Sequence, residues 1–123
     1  MRWARTGAVA MALAVAAGAF GAHGLEGRLS AEALDWWHTA ARYHAWHALG
    51  LFAVSWIAHW SPRPRRVALA AWCLCIGLVL FSGSLYLMAL TGHRWLGAIT
   101  PLGGTAWIVA WVVLATAAPS RQT

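Results

Sequence analysis

Four long apolar runs separated by short polar stretches set the pattern of this chain. They cover approximately residues 6–25, 41–60, 67–90 and 100–118, each close to the 20 or so residues a helix needs to cross a bilayer. Residues 26–35 are polar, and Ser30 is placed to cap a helix beginning at Ala31. No breaker follows before Trp60, so the second run should be preceded by an interfacial helical extension over approximately residues 31–40. The whole helix would measure about 45 Å against a hydrocarbon core of roughly 30 Å. Trp36, Trp37, Tyr43 and Trp46 cluster where it would enter, as interfacial aromatics do. Ser61-Pro-Arg-Pro-Arg-Arg66 is a loop, residues 91–95 turn the chain, and Thr100-Pro101 reads as the cap and first residue of the last helix. The expected fold is all-α, an integral-membrane four-helix bundle formed as a single domain over residues 1–123.

Composition strengthens this picture. Hydrophobic residues make up 61% of the chain and charged ones 10%, wrong for a soluble domain of this length. The net charge of +6 comes from nine basic residues, all arginine, against Glu26, Glu32 and Asp35. In a soluble protein such a balance would suggest nucleic acid. Here the arginines lie singly or in threes between apolar runs, so they read as topology signals and contacts to anionic lipid headgroups, with no nucleic-acid partner. Arg2, Arg5, Arg63, Arg65, Arg66 and Arg121 fall on one side, and Arg28, Arg42 and Arg94 on the other with all three acids. The excess puts both termini in the cytoplasm of a multi-pass protein. The basic start, the Ala-rich run and Ala17-Gly18-Ala19 also resemble a secretory signal, but apolar character continues through Phe20 to Leu25 and gives a spanning length.

Polar side chains change the picture again. Antiparallel threading brings His23, His44, His47, Ser82, Ser84, Tyr86 and Thr100 toward one membrane face. Polar groups at such depth face the bundle interior or a wet cavity, so a shared polar cluster is expected, packing the helices or binding a small ligand. On a helical wheel Asp35, His38 and Arg42 fall within about 60° of each other, an expected interfacial ion-pair stripe, with Arg42 extending outward. His44 and His47 point to the opposite side and, three residues apart, share a face.

Specific chemistries find little support. No acid lies inside any run, so neither a zinc protease helix nor a di-iron bundle can be built, and Ser82 and Ser84 lack a triad partner. A bis-histidine haem, or zinc or copper on His23, His44 and His47, is conceivable without a supporting motif. Cys73 and Cys75 lie on nearly opposite helix faces and read as buried apolar thiols. A non-enzymatic protein without cofactor or metal is the leading expectation. Transport of a small solute or proton by an oligomer is a second reading, and metal- or haem-based redox chemistry a third. A homo-oligomer or a membrane partner protein fits all three.

Four motifs together resemble a known family: Gly-Ala-Phe-Gly-Ala-His-Gly-Leu at residues 18–25, Tyr-His-Ala-Trp-His-Ala-Leu at 43–49, Phe-Ser-Gly-Ser-Leu-Tyr-Leu-Met-Ala-Leu-Thr-Gly at 81–92, and Ile-Thr-Pro-Leu-Gly-Gly at 99–104. In this order they resemble the YgdD-like family of small inner-membrane proteins. The resemblance implies a four-span protein of the bacterial cytoplasmic membrane whose first helix is retained and which has no established molecular activity. The family's usual histidines map to His23 and His47. His44 falls where relatives tend to carry glutamine, a poor metal ligand, which shifts weight toward a hydrogen-bonded cluster.

Overall fold

The computed structural model describes residues 1–120, so Arg121, counted above with the topology-setting arginines, lies outside the described residues. All regular structure among them is helical: α1 (Arg2–His23), α2 (Ala31–Ala58), α3 (Pro64–Gly77), a π-helical turn (Leu78–Ser82), α4 (Gly83–Thr91), a 3-10 turn (Arg94–Ala98) and α5 (Thr100–Ala117). Because α3, the π turn and α4 follow without a gap, the chain folds as four long helical stretches. Those at Arg2–His23, Pro64–Thr91 and Arg94–Ala117 are long and apolar enough to cross a membrane. With 28 residues α2 has ample length, but Arg42, Tyr43, His44 and His47 dilute its apolar character.

Local chemistry explains where these elements begin and end. Ser30 has an extended backbone, and its hydroxyl accepts from the Ala33 N–H at 3.1 Å, capping α2. Pro64 opens α3, where a missing N–H does no harm. Gly92 closes α4 in the left-handed region, φ 73°, with its N–H donated to the Met88 carbonyl. Thr100 departs from the expected cap. The 3-10 turn leads through Ile99, itself in helical conformation, so Thr100 is already the first helical residue and its hydroxyl is released for a tertiary contact.

The helix with the most polar residues sits at the centre. On one side of α2 lies α1, on the other α3, the π turn and α4, while α5 packs mainly on α3 and the π turn. The buried face of α1 is Gly7, Ala10, Ala14 and Gly21, which lets the two backbones come close. Around Leu51, Val54, Leu74 and Leu114 a hydrophobic core joins α2, α3 and α5, and a second group with Ala40, Leu85, Met88 and Leu96 fills the opposite end. The π turn is closely packed: a Cβ at Gly103 would overlap the Phe81 backbone, so the first turns of α5 rest directly on it. Such a wide turn shifts the facing of every later residue in the same helix.

Candidate functional site

His47 is buried where α2 meets α3 and α5. Its Nδ1 lies 2.7 Å from the Tyr43 carbonyl, an atom that can only accept, so Nδ1 carries the proton. The imidazole lies flat on the indole of Trp107, centroids 3.6 Å apart and planes within 3°. Trp107 in turn donates Nε1–H to the Leu74 carbonyl at 3.1 Å. Its ring occupies the space beside Gly77, where a Cβ would overlap it. Phe81 packs against the same indole at 4.6 Å, and Tyr43 is stacked 6.0 Å away. The result is a sealed aromatic stack holding three helices.

His44 looks elsewhere. Its Nδ1 is 3.0 Å from the Tyr86 hydroxyl, and the Tyr86 ring packs on Trp37 at 4.6 Å. Trp37 donates Nε1–H to the Ala17 carbonyl of α1 at 2.7 Å, so these contacts run from α4 through α2 to α1. Half-buried rather than sealed, His44 lies at the floor of a groove between α1 and the α3–α4 stretch. A rotation of 300° separates residues three apart on a helix, and because α2 is central that small difference faces them to different neighbours.

The remaining polar residues also pair locally. Ser82 donates to the Ala40 carbonyl of α2 at 2.9 Å. The hydroxyls of Ser84 and Thr100 are 2.6 Å apart and join α4 to α5. Six of the seven residues expected in one cluster therefore hold partners, but in four separate contacts. His23 joins none of them and is exposed at the end of α1. Among the described residues no three His, Cys, Asp or Glu side chains gather where one metal ion could bind them.

Asp35, His38 and Arg42 are exposed along α2, as the wheel places them, but the ion pair among the described residues lies elsewhere. Arg94 in the 3-10 turn donates two parallel hydrogen bonds to Glu32, at 2.9 and 2.7 Å, with its guanidinium 5.3 Å from the Trp36 ring. Asp35 and Arg42 are two turns apart, about 10 Å along the axis, too far to pair directly. Trp37 and Trp107 hold interhelical hydrogen bonds that their places in the sequence do not announce. The readable signal was Gly21 and Gly77, where an added Cβ would meet the Trp37 and Trp107 rings. At the arginine-rich end, Ser61 donates to the Ala117 carbonyl at 2.6 Å and Arg63 to the Thr116 carbonyl at 2.8 Å, closing the last turn of α5.

Comparison with known proteins finds relatives that are named membrane proteins. The family model described as protein of unknown function (DUF423) matches residues 17–104. The UPF0382 membrane protein YwdK of Bacillus subtilis is 50% identical over 112 residues, 91% of either chain. A UPF0382 membrane protein of Staphylococcus epidermidis is 48% identical, covering 90% of this chain and 89% of its own. One from Haemophilus influenzae is 41% identical, covering 82% and 80%. No solved structure matches. With all four motifs inside the matched region, this chain belongs to the DUF423/UPF0382 family of membrane proteins, a family of unknown function.

Proposed function

We propose that this is a four-span, non-enzymatic protein of the bacterial cytoplasmic membrane, of the YgdD-like kind, with both termini inside. Its interhelical polar contacts serve to hold α2, the least apolar helix, at the centre of the bundle. The observation that carries this reading is the pairing itself: among the described residues every fully buried side-chain nitrogen and oxygen has a hydrogen-bond partner. Satisfied polar groups fasten membrane helices. The orientation is supported by Arg2, Arg5, Arg63, Arg65 and Arg66 at one end and all three acids at the other.

Two measurements test this reading. Single cysteines replacing Glu26 or Pro62, in a Cys73→Ala, Cys75→Ala background, should react with a membrane-impermeant maleimide from outside the cell at position 26 and not at 62. The reverse pattern, or labelling at both, overturns the four-span orientation. His47→Leu should lower the melting temperature of the detergent-solubilised protein, and an unchanged value would count against a packing role.

A further inference from the structure

Because α1 packs almost wholly on α2, a gap remains between α1 and the α3–α4 stretch. The gap is a groove of about 370 Å³, walled by Ala10 and Leu13 on one side and Val79 and Gly83 on the other. His44 and Tyr86 lie at its floor and engage each other, so the surface the groove offers is apolar. Along α3 and α4 it extends from Cys75 to Tyr86, a rise of about 16 Å. That is close to half of the roughly 30 Å hydrocarbon core, the depth of one leaflet.

The mouth has a different character. Arg5 lines an adjoining hollow on α1 that shares Thr6, Ala10 and Leu13 with the groove. The Arg2 guanidinium sits 4.6 Å from the Trp3 ring, and Trp3 meets Trp72 edge-on at 5.5 Å, bridging α1 and α3 at the entrance. α1 starts here with no side-chain cap and no acidic residue in its first turn, so the helix dipole adds positive charge to that of the arginines. Glu26, Glu32 and Asp35 are all at the opposite end. Arg63, by contrast, is engaged by the Thr116 carbonyl.

We propose that this groove seats one acyl chain of an anionic phospholipid from the leaflet at the arginine-rich end, with the phosphate held by Arg5 and Arg2. An apolar slot about half the hydrocarbon core in length, with two arginines in the turn of α1 just before its first lining residue, Thr6, has the charge and the length of such a lipid. The proposal rests on α1 and α3–α4 crossing the membrane, which the maleimide labelling reads separately.

The test is native mass spectrometry of the full chain, purified in mild detergent and offered phosphatidylglycerol or phosphatidylcholine with identical acyl chains. The wild type should retain phosphatidylglycerol in preference. Arg5→Gln should lower that retention about fivefold and leave phosphatidylcholine unchanged, while Arg65→Gln should have a smaller effect, within about twofold. Gly83→Leu should lower retention of both lipids alike, since it fills the chain seat. That variant should fold, because an added Cβ meets nothing nearer than the Leu78 carbonyl oxygen at 4.0 Å and leucine favours a helix over glycine. Three results overturn the proposal: a wild type that holds no lipid, an equal loss in Arg65→Gln, or an unaffected Gly83→Leu. A dimer that Gly83→Leu abolishes would also overturn it, by assigning the groove to a second copy of the chain.

Discussion

His44 and His47 sit one turn apart on the same helix and have opposite surroundings. His47 is sealed against the Trp107 indole at 3.6 Å, with its proton committed to a backbone carbonyl. His44 holds a tyrosine hydroxyl at the floor of a groove that opens sideways between two helices. The difference teaches that residue type and depth do not define a role inside a membrane bundle. What decides it is which neighbour closes over the side chain. On the His47 side α5 covers α2 with two tryptophans, Trp107 and Trp111, the latter seated over Gly50. On the His44 side α1 stands off from α3–α4 and nothing equivalent covers the imidazole.

The largest test of that contrast is removal of the sealing ring. Trp107→Ala should destabilise the protein by about 3–5 kcal/mol, since a buried indole leaves a cavity, read by chemical denaturation in mixed micelles. His47→Ala should follow at about 2 kcal/mol, from loss of the stack and of its packing volume. If His44→Ala proves as damaging as His47→Ala, the distinction between a sealed and an open side fails. A third effect comes from the opposite direction. Gly77→Ala would force the Trp107 ring out of place and should cost about 1–3 kcal/mol by overpacking.

Smaller effects sharpen the pairing. A double-mutant cycle of His44→Ala with Tyr86→Phe should return a coupling of about 0.6 kcal/mol, the usual size of an interhelical hydrogen bond in a membrane protein. The same cycle of His47→Ala with Tyr86→Phe should return none, because those side chains belong to different contacts. Smallest of all, Arg94→Gln should leave the melting temperature unchanged, because its bond to Glu32 is exposed to solvent. A clear fall there would show that the 3-10 turn, and not the buried stack, holds α5 in place.

Much of this architecture was legible from composition and punctuation. The proline-bearing break at 61–63, the serine before Ala31 and the turn at 91–95 act through their own backbone chemistry. Their effects are therefore local and readable. The polar residues were legible as polar residues that need partners, since an unpaired group in hydrocarbon is too costly to persist. Their grouping was not legible. Thr100 shows why: its role depends on the preceding 3-10 turn, which frees the hydroxyl for Ser84. The π turn at Leu78–Ser82 shows it again, because the residue that packs on its backbone, Gly103, lies in a helix more than twenty residues away.

Side-chain chemistry alone makes the chain a set of apolar helices joined by short loops, with six of its nine arginines toward one end and its acids toward the other. Those properties follow from side-chain hydration and backbone propensity, which each residue carries with it. Packing between helices is what makes α2 the central helix, parts His44 from His47, and leaves a groove about 16 Å long beside α1. Rotation about a helix axis and the distance between helices are set by which side chains interlock, and interlocking belongs to pairs of surfaces that no single stretch of the chain contains.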